Sequence, residues 1–219
     1  MNAALAGLVV LVIGDSHIAS IGFFNNTLHD ALMAQGAQVH SYGVCSSLAE
    51  DWLKPLSISC GGGERHNNQS AHLVDRSGSQ PWAISNLIAQ HHPDIVIVEL
   101  GDTMAGYPST PSLPRDTIVS EVKYLTAAIS ARNVPCIWVG PPWGTEGGAL
   151  KKTFTRVKEL SEVLARTVSP CRYVDSLTLS RPGEWATKDG VHLTVSSYST
   201  WATKVADSIV RMAPEVRKH

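Results

Sequence analysis

Six apolar residues in a row, Leu8 to Ile13, run into Gly14-Asp15-Ser16-His17, after which apolar positions resume with a different period. Four further strand-like runs follow: Gln38–Tyr42, Ile95–Leu100, Cys136–Val139 and Arg172–Val174. The central ones are continuously apolar, the pattern of parallel strands covered on both faces. Between the runs, apolar residues recur with a helical spacing. They predict helices over roughly Ile18–Gln35, Pro81–His91, Arg115–Arg132 and Leu150–Thr167, and Thr194, a good N-cap, opens a last helix to about Met212. Strands alternating with helices predict an α/β fold, a three-layer flavodoxin-like sandwich around a central five-stranded parallel sheet.

One segment breaks the rhythm. From about Ser46 to Gln80 a long loop insertion carries the stretch CGGGERHNNQS. Loops of that length inside compact domains are functional or disordered. It is not a phosphate-binding loop, because no Lys-Ser/Thr follows Gly61–Gly63. Internal repeats and low-complexity tracts are absent.

At 219 residues, 43% hydrophobic and 17% charged, the chain reads as one domain over 1–219 with a substantial core. A formal charge of −1 gives no global attraction to polyanions, so no nucleic-acid partner is expected. No window approaches the roughly 20 apolar residues that span a bilayer. The apolar N-terminus lacks a basic leader region, and cleavage after it would remove the run that leads into Ser16, so it reads as a strand of the mature fold.

The cysteines narrow the compartment. Cys136 and Cys171 sit in matching Pro-Cys contexts at the start of two short strands, and neighbouring parallel strands would bring them side by side. A Cys136–Cys171 disulfide is expected, with Cys45–Cys60 closing a surface loop. If these bridges form, the compartment is periplasmic or external, with a leader outside this sequence; four reduced cysteines would make it cytoplasmic.

Ligands of open α/β sheets bind beyond the carboxyl ends of the strands. Those ends carry Gly14-Asp15-Ser16-His17, then Gly43, then Gly101-Asp102-Thr103-Met104, then Gly140-Pro141-Pro142-Trp143. Ahead of the last helix stands Asp189-Gly190-Val191-His192, where a carboxylate three residues before an imidazole reaches its Nδ1–H and leaves Nε2 as a base. Asp15 reads as a turn-forming side chain and His17 as structural or at the site rim. His66, His72, His91 and His92 follow no ligand spacing, so neither a metal nor another cofactor is expected.

The ordered set of GDSH, a glycine after the second strand, GDTM after the third and DGVH before the last helix resembles the SGNH (GDSL-like) hydrolase family over nearly the whole chain. The resemblance implies a serine acyl-enzyme mechanism with Ser16 as nucleophile, His192 as general acid and base and Asp189 as its partner. Backbone N–H groups of Ser16 and Gly43 would face the oxyanion. The family's third motif carries an asparagine whose side chain donates to that oxyanion; here Thr103 stands in its place, with a shorter hydroxyl donor, and an ionised Asp102 beside it would repel the oxyanion.

Trp52, Trp143, Trp185 and Tyr107 fall at loop positions around these motifs, where aromatic faces stack on sugars. The expected substrate is an acylated glycan, and the expected reaction is removal of a small acyl group, most simply acetyl. Alternatives on the same fold are an O-acetyltransferase, a non-catalytic glycan-binding protein and a lipid or thioester hydrolase.

Overall fold

The computed structural model describes residues 4–20, 22–74, 78–107 and 110–216, with side chains to 213. Among the described residues nine strands form: β1 (Val9–Gly14), β2 (Gln38–Val44), β3 (Leu56–Ser57), β4 (Gly62–His66), β5 (His72–Val74), β6 (Ser79–Gln80), β7 (Ile95–Glu99), β8 (Cys136–Val139) and β9 (Arg172–Val174). The helices are α1 (Ser16–Ala19), α2 (Phe24–Ala34), α3 (Ile84–His91), α4 (Arg115–Ser130), α5 (Phe154–Thr167) and α6 (Val195–Val216).

Strands β2, β1, β7, β8 and β9 pair in parallel, in that spatial order, and are the five expected. The sheet is nevertheless seven-stranded rather than five-stranded. The insertion 46–80 supplies β4 and β5, which extend the β2 edge antiparallel, and β3 and β6, which pair separately. The sequence hid β4 because Gly-Gly-Glu-Arg-His has neither alternation nor β-branched residues; its partner edge makes it a strand.

Side chains of the parallel strands alternate between two cores. Val10, Val12, Ile95 and Ile97 pack with Leu28 and Leu32 of α2 and with Trp201, Val205 and Ile209 of α6. Leu11, Ile13, Val96 and Val98 face α3, α4 and α5 through Leu87, Val122, Leu125, Leu160 and Leu164. Both disulfides are present, Cys45–Cys60 with Cα atoms 5.5 Å apart and Cys136–Cys171 with 4.6 Å. The second bridges the entries of β8 and β9, where Ile137 and Arg172 are register partners.

Two helix boundaries depart from the periodicity. The run Ile18–Gln35 is split into α1 and α2 between Ala19 and Phe24, with Ile21 outside the described residues. The helix expected from Leu150 starts at Phe154, capped by the Thr153 hydroxyl accepting the Arg156 N–H at 3.2 Å. Residues Gly147 and Lys152 instead pair across a tight turn that aims Lys152 inward.

Candidate active site

Strand β1 ends at Gly14 and the chain turns at once into α1, whose first residue is Ser16. A Cβ at Gly14 would lie 2.4 Å from Ile18 Cγ1 and 2.7 Å from the Glu99 carbonyl, so the turn requires glycine. Asp15 Oδ1 accepts the His17 N–H at 3.1 Å, the turn-forming role expected of it.

A second turn, closed by a bridge between Thr187 and Leu193, carries the partners. Asp189 Oδ1 accepts the N–H groups of Val191 at 3.0 Å and His192 at 2.8 Å, and Oδ2 accepts Nδ1–H of His192 at 2.6 Å. Burial pushes the Asp189 pKa up, but these hydrogen bonds and the imidazole outweigh it and hold the carboxyl below its ordinary range. The carboxylate keeps the imidazole proton on Nδ1. His192 Nε2 is left as an acceptor 2.8 Å from Ser16 Oγ, so serine, imidazole and carboxylate form one continuous line.

Beneath Ser16 lies a buried polar chain that the sequence did not announce. His17 meets Tyr198 Oη through Nδ1 at 2.6 Å and Asp102 Oδ2 through Nε2 at 3.1 Å. Lys152 Nζ donates to both Asp102 oxygens, at 2.6 and 2.9 Å, and to the Pro142 carbonyl at 2.8 Å. Burial raises the Asp102 pKa, but Lys152 first and then His17 overcome it and keep the carboxyl below its usual range. Asp102 is therefore charged but matched, and it does not act as the bare repulsive carboxylate expected from the motif. Glu99 behaves oppositely. Fully buried at the end of β7, its carboxyl is pushed well above the ordinary glutamate range by desolvation first and then by Asp15 and Asp102, with Lys152 only partly opposing.

Asp15, His17 and Glu99 bring ligand atoms within 4.8 Å of one another. They do not suit a cation. Both His17 nitrogens and both Asp15 oxygens are engaged, and the Lys152 ammonium stands beside the set.

The oxyanion side departs from the expected three donors. Thr103 Oγ1 donates to Asp15 Oδ2 at 3.1 Å, so its hydroxyl is committed to the turn. Gly43 cannot carry a side chain, since a Cβ there would sit 2.2 Å from the Ala19 nitrogen. Cys45 N–H donates to Gly61 C=O and Asn67 N–H to Val39 C=O on the β2–β4 edge. Antiparallel alternation then makes Gly43 and Gly63 a hydrogen-bonded pair and turns the Gly43 N–H along the ladder. Ser16 is the first residue of α1, so its N–H is among those without an intrahelical partner.

The four aromatic candidates are mainly packing residues. Trp52 is fully buried, its Nε1 donating to Ser47 Oγ at 3.3 Å, and Trp185 is buried against the α2 and α6 core; neither offers a face to a sugar. Trp143 is half-buried, bonded through Nε1 to the Leu177 carbonyl and set edge-on to Phe154. Tyr107 packs against the other core. Phe23 instead lies at His192, its ring stacked on the imidazole with centroids 6.2 Å apart and carrying Lys188 Nζ at 4.6 Å. Its position in the break between α1 and α2 was unreadable from helical periodicity.

No family model matches this chain. Protein BcsX of Komagataeibacter xylinus is 40% identical over 219 residues, all of this chain and 81% of that protein. Among solved structures, a GDSL-like lipase of Bacteroides thetaiotaomicron superposes with a TM-score of 0.57 at 14% identity, covering 97% of this chain and 94% of that one. An acetylxylan esterase of Geobacillus stearothermophilus gives 0.61 at 15% identity, with 94% of each chain covered. The periplasmic domain of a lipopolysaccharide acetyltransferase of Salmonella ser. Paratyphi A gives 0.62 at 12% identity, covering 92% and 83%. At these identities the structural likenesses speak to the fold.

Proposed function

We propose, from the premise that this chain belongs to the family that includes protein BcsX and, by its fold and its ordered motifs, to the SGNH (GDSL-like) hydrolases, that it is an acyl-transferring serine enzyme. The observation that carries the reading is the continuous line Ser16 Oγ, His192 Nε2, His192 Nδ1, Asp189 Oδ2, with contacts of 2.8 and 2.6 Å. The substrate class we infer is an O-acetylated carbohydrate, supported by what the acetylxylan esterase and lipopolysaccharide acetyltransferase of the same fold are named for.

In this mechanism His192 Nε2 takes the Ser16 proton as Oγ attacks the ester carbonyl carbon. The Ser16 N–H, at the positive end of α1, receives the developing oxyanion. Collapse expels the sugar oxygen, which takes the proton from His192 and leaves an acyl-Ser16. Water then gives a proton to His192, attacks the acyl carbon and releases the carboxylic acid as the serine proton returns. A sugar hydroxyl in place of water turns the same intermediate into an acetyltransfer. Lys152 neutralises Asp102 close to this charge, so the approach of a negative intermediate is not opposed.

We infer an oxidising compartment, periplasmic or external, supported by the two disulfides. Among the described residues no helix is long and apolar enough to cross a membrane.

The test is hydrolysis of p-nitrophenyl esters from acetate to octanoate, and of an acetylated oligosaccharide with and without a free-hydroxyl acceptor, by the native protein and Ser16→Ala. The reading expects acetate turnover that falls with chain length and disappears in the variant. Free acetate as the product identifies hydrolysis, and acetylated acceptor identifies transfer. No release and no transfer above the Ser16→Ala background on any of these substrates would overturn it.

A further inference from the structure

Away from the triad, three histidines from three separate elements converge: His40 on β2, His66 on β4 and His91 at the end of α3. Each is half-buried, and one ligand atom from each lies within 4.8 Å of the other two. His40 stands three residues before Gly43, about 10 Å back along β2 from the catalytic end of the sheet. We propose that His40, His66 and His91 bind a divalent transition-metal ion of the zinc class, joining β2, the inserted β4 and α3.

The contact between His40 Nδ1 and His66 Nδ1, at 3.0 Å, is the core of the site. Two facing ring nitrogens at that distance share one proton at most, so one presents a bare lone pair. Two imidazole nitrogens on a tetrahedral zinc, at about 2.0–2.1 Å each, stand roughly 3.3 Å apart. The observed spacing is already close to that, and an ion replaces the shared proton with two lone pairs. The displaced proton has a place to go if His66 carries it: Nε2 lies 3.7 Å from Glu64 Oε2, within ion-pair range though beyond a direct hydrogen bond.

The third ring has to leave its stack to join them. His91 lies face to face with His40, centroids 4.0 Å apart, and its Nε2 meets the Tyr42 hydroxyl at 2.7 Å, so a turn about its side-chain bonds is what brings a ring nitrogen to the ion. No sequence spacing announces the set, because the three ligands are 26 and 25 residues apart and are joined only when the insertion pairs with β2. The inference is independent of the esterase reading.

The experiment is calorimetric titration of chelator-treated full-length protein with zinc chloride at pH 7.5, alongside His66→Gln and the single variant His91→Gln. One zinc per chain is expected, with affinity at least tenfold weaker in either variant and a zinc-dependent rise in Tm present only in the native protein. Cobalt(II) substitution of the native protein gives a readout that needs no variant, namely the intense visible bands of a four-coordinate imidazole site. Circular dichroism identifies any variant that has failed to fold, in which case the cobalt spectrum decides. Absence of both zinc binding and these bands in native protein, or undiminished zinc affinity in folded His66→Gln and His91→Gln, would overturn the proposal.

Discussion

Lys152 Nζ lies 2.6 Å from Oδ1 and 2.9 Å from Oδ2 of Asp102, with both side chains essentially sealed from water. Such a pair contributes little net stability when intact, but removing one member strands a charge in the interior. Lys152→Met is therefore expected to cost about 3–5 kcal/mol in chemical denaturation, by the usual penalty for an orphaned buried ion. The double variant Lys152→Met, Asp102→Asn should recover much of that loss. A Lys152→Met cost below about 1 kcal/mol would show that Asp102 finds another partner.

Asp189→Asn keeps the shape of the His192 turn while removing the charge that pins the proton on Nδ1. The expected result is a kcat for ester hydrolysis lowered by about four orders of magnitude, the scale of the wrong-tautomer effect in serine triads. KM should change far less. Steady-state kinetics on p-nitrophenyl acetate separates the two, and a merely tenfold fall in kcat would mean that Asp189 does not set the tautomer.

Thr103→Val tests where the oxyanion is held. Because the hydroxyl is committed to Asp15, its removal is expected to appear as lost stability of about 1–3 kcal/mol, the cost of an unsatisfied buried acceptor. Loss of a true oxyanion donor instead costs roughly 10²–10³ in kcat. Thermal melts and kcat measured on the same preparation distinguish the outcomes; a hundredfold kcat loss at unchanged Tm would return Thr103 to the oxyanion.

Glu121 on α4 is buried against the turn Ala49–Leu53, where desolvation and then Glu50 and Asp51 push its pKa up to about 7. Between the ordinary glutamate range and about 7 the folded chain holds a proton that the unfolded chain has released, so stability falls as pH rises through that window. Glu121→Gln removes this penalty. Its advantage is expected to be absent near pH 4 and to reach the order of 1–2 kcal/mol above pH 7, allowing for solvent screening. Tm against pH for both proteins is the measurement, and an advantage equal at both ends of the range would assign the effect to packing instead.

The five parallel strands and the line from Ser16 through His192 to Asp189 were legible because each is written locally. An unbroken apolar run feeds Ser16, and Asp189 sits within reach of His192 along the chain itself. The buried pair was not legible, since Lys152 falls near the start of the run that predicts a helix from Leu150, and only the turn pairing Gly147 with Lys152 aims it inward. Glu99 left a trace, a carboxylate ending the apolar run Ile95–Val98, whose meaning needed Asp15 and Asp102 beside it. The tryptophans misled for a physical reason: a loop position says nothing about which way an indole turns, and Trp52 and Trp185 turn inward.

The hydrogen bond from Ser16 to His192 spans 176 residues of chain. During synthesis Ser16 emerges well ahead of His192, and β1 needs β2 and β7 on either side before Ser16 has a fixed position. On the proposed mechanism the serine is an ordinary alcohol until then, and a covalent serine probe is expected to report how many molecules in a preparation have completed the fold.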